Sequence, residues 1–138
     1  MLEARCATAA VALSGGRVFV FGGWNGKSSL VSVECCHLQT DWSRTIETAR
    51  TEVFWRPLES MGTPRYFHAA VSFKRKILIA GGYRRDETNQ RIVQSVVEVF
   101  SPPNAERPRG EWTRVADLLV PRQGLVLLVI KDGLYALG

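Results

Sequence analysis

Apolar residues in this chain fall into short, dense runs separated by turn residues. The first runs are Ala7 to Leu13 and Arg17 to Phe21, divided by Ser14-Gly15-Gly16. Ala69 to Phe73 and Lys76 to Ala80 follow the same plan around Lys74-Arg75. So do Leu125 to Ile130 and Leu134 to Leu137 around Lys131-Asp132-Gly133. Runs of this length, bounded by turn signals, predict strands covered on both faces, and connections of two or three residues predict hairpins. Further runs, Val31 to Cys36 and Val96 to Phe100, predict a third strand in each group. A fourth is expected to begin at Trp55 and at Trp112. Val and Ile dominate, as strands favour. No helical period of comparable length competes, so the fold class predicted is all-β.

The groups are copies of one another. Arg5-Cys6-Ala7-Thr8-Ala9-Ala10-Val11 aligns with Arg65-Tyr66-Phe67-His68-Ala69-Ala70-Val71. Double glycines follow, Gly22-Gly23 and Gly81-Gly82, each trailed by an aromatic, Trp24 and Tyr83. Val33-Glu34 and Val97-Glu98 come next. Trp55 lies ten residues before Arg65, and Trp112 ten before Arg122. Pro64 and Pro121 precede those arginines. A third copy opens at Arg122 and reaches Gly138 at the offset that separates Arg65 from Gly81. The spacing is 65 − 5 = 60, then 122 − 65 = 57, a period that marks a repeat architecture. Trp42 offers a rival outer-strand position, but only Trp55 keeps the ten-residue offset. Asp41 to Val53 is then an insertion, a surface loop or a short helix capped by Asp41. The glycine pairs permit positive φ and close backbone approach at strand ends. The tryptophans supply apolar area between neighbouring sheets. Gly22, Gly23, Gly81, Gly82, Trp55 and Trp112 are therefore read as structural.

With Arg-x-x-Ala-Ala-Val, Val-Phe-Val-Phe-Gly-Gly, Val-Ser-Val-Glu, Trp, and Met61 before Pro64-Arg65, the chain resembles kelch repeats across essentially its whole length. Cys36 and Phe100 stand where the family usually has Tyr, and Cys36 to Trp55 is a long connection. The resemblance implies an incomplete kelch β-propeller. Two four-stranded antiparallel blades would be followed by the first two strands of a third, with the first strand of each blade innermost. Within 1–138, blade one is placed at 5–64 with its insertion at about 37–54, blade two at 65–121, and the start of blade three at 122–138. A propeller closes with about four to eight blades. The sequence is therefore expected to be part of a longer chain, with remaining blades as its first partners. The isolated piece is expected to oligomerise or dissolve poorly.

Composition narrows the function classes. Of 138 residues, 46% are hydrophobic and 22% charged, a globular balance. No apolar stretch approaches the roughly 20 residues of a membrane-spanning helix, and no membrane partner is expected. The three cysteines, Cys6, Cys35 and Cys36, are odd in number with two adjacent, unlike a secreted disulfide framework. A cytoplasmic location is predicted. Net charge is +5. Residues 1–61 balance six cations against six anions, and 62–138 hold twelve against seven, so 12 − 7 = +5. That half attracts acidic partners over distance or merely keeps the surface solvated.

No nucleophile elbow, phosphate loop or zinc-protease motif occurs, and the only histidines are His37 and His68. Cys35-Cys36-His37 superficially suggests a metal site. Adjacent strand residues point to opposite faces, so they cannot easily share one ion. No cofactor, metal or catalytic residue is assigned, and the chain is not read as an enzyme. Trp24, Tyr83 and Trp112 could stack nucleic-acid bases, but packing already accounts for repeat-equivalent aromatics. A protein partner is favoured. The candidate face joins the loops Trp24 to Leu30 and Tyr83 to Ile92 with the segments leading into each first strand. Its candidate contacts are Arg5, Arg65, Arg84, Arg85, Arg91 and Arg122, with Lys27 in blade one. Guanidinium forks suit the carboxylates or phosphates of an acidic peptide or phosphopeptide. The competing reading has Arg65 and Arg122 bonded to blade backbone, holding turns only. The resemblance implies substrate recognition for a cullin-type ubiquitin ligase adaptor of the BTB-kelch kind, or an actin-binding scaffold.

Overall fold

The computed structural model describes residues 1–38 and 54–138; the expected insertion Asp41 to Val53, with Trp42, lies outside the described residues. Twelve strands occur among the described residues. They are β1 (Ala9–Leu13), β2 (Arg17–Phe21), β3 (Val33–His37), β4 (Arg56–Pro57), β5 (Ala69–Phe73), β6 (Lys76–Ala80), β7 (Tyr83–Arg85), β8 (Arg91–Val93), β9 (Val97–Ser101), β10 (Glu111–Arg114), β11 (Val126–Ile130) and β12 (Gly133–Leu137). Antiparallel pairing builds β1-β2-β3-β4 as one sheet and β5-β6-β9-β10 as the next. A two-stranded sheet, β11-β12, follows.

The strands nearest the common axis are β1, β5 and β11, since β5 packs on both of the others. A backbone relay links them. Phe67 N–H donates to Ala7 C=O at 2.9 Å, and Gly124 N–H to Phe67 C=O at 2.9 Å. Each sheet is thus one wedge of an all-β propeller, with its first strand inside.

Both faces of the inner wedge are covered, which explains the unbroken apolar runs. Between the first two sheets lie Val11, Phe19, Phe21, Val33, Leu58, Met61, Ile77, Ile79 and Phe100. Phe100 meets Phe21 edge-on at 5.8 Å and Trp112 at 4.8 Å. Such aromatic pairs are worth about 0.5–1.5 kcal/mol each beyond area burial. A second core, Ala69, Ala80, Val97, Leu125 and Leu127, seats the β11–β12 hairpin on blade two.

The fourth strands start one residue from the expected tryptophans, β4 at Arg56 rather than Trp55 and β10 at Glu111 rather than Trp112, and three other boundaries shift for identifiable reasons. β1 starts at Ala9 rather than Ala7, because Ala7 has φ 52° and a strand cannot pass through it. The same holds at Gly124 (φ 59°), before β11. β3 starts at Val33, since the Val31 carbonyl accepts Met61 N–H instead of a ladder partner. The loop expected from Tyr83 to Ile92 contains a hairpin of its own, with Tyr83 opposite Val93 and Arg85 opposite Arg91. On the outer edge, Cys35 pairs with Arg56 and Phe100 with Trp112. Glu34 faces Pro57 as Glu98 faces Arg114, which puts Trp55 in register with Trp112.

Candidate functional site

The segments leading into the inner strands repeat one set of bonds. Arg65 is wholly buried. Its Nη1 donates to Gly81 C=O at 3.2 Å and Val96 C=O at 2.8 Å, and its Nη2 meets the Glu98 carboxylate at 2.6 Å. Glu98 accepts Gly62 N–H at 2.8 Å on its other oxygen. In blade one, Arg5 donates to Gly22 C=O and Ser32 C=O, both at 3.0 Å, and pairs with Glu34. Glu34 accepts Leu2 N–H at 2.7 Å, as Glu98 accepts that of Gly62. Burial pushes the Arg65 pKa down, and the Glu98 charge pulls it back.

These arginines therefore tie the lead-in segment to the second and third strands. The guanidiniums of Arg5 and Arg65 have no exposed surface, so neither can reach a partner. That corrects the expectation placing both on the recognition face. Half-buried Arg122 makes the corresponding bond to Gly138 C=O. Glu34 and Glu98, whose role as counter-ions sequence reasoning missed, recur one per repeat.

The glycine pairs make room for this arrangement. A Cβ on Gly22 would lie 2.6 Å from Arg65 O, and one on Gly81 2.4 Å from Arg122 O. Both residues have positive φ, 53° and 66°. The second glycines carry the interblade bonds: Gly23 N–H donates to Arg65 C=O at 2.9 Å, and Gly82 N–H to Arg122 C=O at 2.8 Å. Trp112 crosses the same boundary, its indole N–H donating to Glu59 C=O at 2.8 Å. Trp55 has Phe54 as its ring neighbour at 5.8 Å.

On the same rim the two loops between second and third strands meet. Asn25 Oδ1 accepts the N–H groups of Lys27 (3.0 Å) and Ser28 (2.8 Å), fixing the first loop. Asp86 Oδ1 accepts those of Thr88 (2.9 Å) and Gln90 (2.8 Å), fixing the β7–β8 tip. The Thr88 hydroxyl and those amides hold the Asp86 carboxyl below its usual range. Arg85 spans the gap: its N–H donates to Ser29 Oγ at 3.2 Å, and its guanidinium lies 4.9 Å over Trp24. Trp24 packs on Tyr66 at 5.5 Å, and Tyr66 on Tyr83 at 5.7 Å. Arg91 sits 5.8 Å over Tyr83.

The structure thus brings Arg84, Arg85 and Arg91 together on one hairpin beside the Lys27 loop. Among the described residues no carboxylate pairs with any of them. Phe67, missed from sequence, adjoins this set: it touches Tyr66 at 5.7 Å, is half exposed and holds a left-handed backbone, φ 53°. Its sequence signal was an aromatic where the other copies have Ala7 and Gly124.

Elsewhere, buried His68 is held neutral, its pKa lowered to about 3 by burial and by the nearby Arg65 cation. Burial raises the Cys35 and Cys36 thiol pKa values. Among the described residues no group of three His, Cys, Asp or Glu side chains could hold a metal ion, and no helix is long and apolar enough to cross a membrane.

The fold and the repeated rim define a repeat protein of the propeller class. The model for the Kelch motif matches residues 5–41 and 64–119, so the chain belongs to the kelch-repeat family. Alpha-scruin of Limulus polyphemus is 33% identical over 84 residues, covering 61% of this chain and 9% of that protein. Kelch-like ECH-associated protein 1B of Danio rerio is 42% identical over 62 residues, covering 45% of this chain and 9% of that protein. The solved structure of YjhT matches 96% of this chain and 33% of its own at a TM-score of 0.67 with 14% identity, a likeness of fold. The matched part of this chain spans about a tenth of the two curated relatives.

Proposed function

We propose that this chain is a protein-recognition module, not an enzyme, and that its recognition face is the rim formed by Trp24–Ser29, Phe67 and the β7–β8 hairpin. The observation that carries this reading is the gathering of Arg84, Arg85 and Arg91 without carboxylate partners, beside half-exposed Phe67, on a hairpin spanning two blades. Rigid scaffolds place binding residues on such loops. Guanidiniums supply charge-assisted bonds to carboxylate or phosphate, and an aromatic supplies a desolvated anchor. The partner is an acidic or phosphorylated protein segment, met in the cytoplasm. Similarity to Kelch-like ECH-associated protein 1B supports substrate recognition for a cullin-type ubiquitin ligase adaptor. Similarity to alpha-scruin supports the second reading, an actin-binding scaffold.

The test is fluorescence anisotropy with a labelled Glu-rich peptide and its Gln analogue. The Glu peptide is expected to bind at least tenfold more tightly. Arg84→Glu with Arg85→Glu is expected to abolish the difference, and Phe67→Gly to weaken binding with the fold intact. Equal binding of both peptides, or unchanged binding by the double variant, would overturn the reading.

A further inference from the structure

The opposite rim carries a second feature. The turns between first and second strands point away from the recognition face, and they hold Arg17, Lys74, Arg75, Lys76 and Lys131 against one carboxylate, Asp132. Lys74 and Asp132 lie 3.4 Å apart in a solvent-exposed pair, so the turns of blades two and three stand side by side.

The backbone of these turns is unusual. Lys74 and Arg75 close the β5–β6 hairpin at φ 47° and 63°, and Lys131 enters the β11–β12 turn at φ 53°. Two-residue hairpins of this kind favour Asn-Gly or Gly at such positions. Blade one has a three-residue turn instead, Ser14-Gly15-Gly16, and puts glycines at its positive-φ positions, 76° and 74°. Three of the six non-glycine residues with positive φ in the described structure are thus cations on one rim. Lys74 meets Asp132 and the Phe73 ring, but Arg75 and Lys131 hold this backbone with no ion-pair partner among the described residues, and strain retained there points to a use outside the fold.

We infer that this turn rim is a second docking surface, for an acidic face or tail of a partner protein. Single-stranded nucleic acid is disfavoured because the aromatic at the turn, Phe73, has its face covered by the Lys74 ammonium at 5.0 Å. The β5–β6 tip offers only charged residues, with no apolar group to insert into a lipid surface, and the exposed Ile130 beside Lys131 belongs to the uncovered flank of the β11–β12 hairpin. Together the two rims let one propeller segment bridge two acidic partners.

Isothermal titration of the chain with a Glu-rich decapeptide tests the proposal separately from the recognition face. Two sites are expected. Lys74→Asn with Arg75→Gly should remove one site while raising the melting temperature, because both replacements relieve the turn. Lys76→Gln with Lys131→Gln should weaken the same site at least fivefold with little effect on melting. Arg84→Glu with Arg85→Glu should remove only the other site. A single site insensitive to the turn variants would overturn the second surface and leave the recognition face standing. Tighter binding of a DNA duplex or of phosphatidylserine vesicles than of the peptide at the turn rim would also overturn it.

Discussion

Arg65 sets the terms at the scale of single residues. A buried guanidinium is tolerable only when its donors are met, and here two carbonyls and the Glu98 carboxylate meet them. Arg65→Ala would strand Glu98 uncompensated, and chemical denaturation should register a loss of about 3–5 kcal/mol. His68 makes a pH-dependent contribution. Its folded pKa is about 3 against an ordinary 6.5, so below that ordinary value the unfolded chain binds a proton that the folded one refuses. Stability should therefore fall as pH drops from 6.5 toward 3, by about 2 kcal/mol at pH ~5. His68→Thr, with the residue that Thr8 supplies in blade one, should flatten that part of the urea-midpoint profile. The sequence displayed these arginines and Val-Glu pairs plainly. Their pairing was not legible, because it joins residues 33 apart and depends on the lead-in segment lying beside the third strand. Phe67 stood out only as the aromatic aligned with Ala7 and Gly124, and nothing in an aromatic residue announces the left-handed backbone that turns it outward.

Among the elements, first hairpins and glycine pairs were legible because period, turn length and repeat offset agreed. The β7–β8 hairpin was not. Its strands have three residues each with arginines on both, so no apolar alternation announces it. The glycine pairs allow a sharp comparison. Gly81→Ala places a Cβ 2.4 Å from a backbone oxygen at φ 66° and should cost about 2 kcal/mol or more. Gly15→Ala, with nothing within 4 Å of the added carbon, should cost only about 1 kcal/mol for its positive φ. Equal thermal shifts for the two would mean that strand ends do not approach across the blade boundary.

For the molecule as a whole, the consequence of wedge packing is an uncovered flank. Val126, Ile130 and Leu137 are 55%, 55% and 54% exposed on the β11–β12 hairpin, and β12 has no partner on its far side among the described residues. Exposed apolar edges of this kind associate. Sedimentation velocity should show mass rising with concentration, and Ile130→Lys should reduce that rise. Successive repeats are adjacent blades about one axis, and the core, the rim and the uncovered flank all follow from that placement. Amide hydrogen exchange resolved by NMR addresses this most directly, through Gly23, Phe67, Gly82 and Gly124, whose N–H groups cross from one blade to the next. Slow exchange at all four, far below that of the exposed turn amide of Gly26, is the expected result. Exchange at the turn rate in those four positions would contradict it.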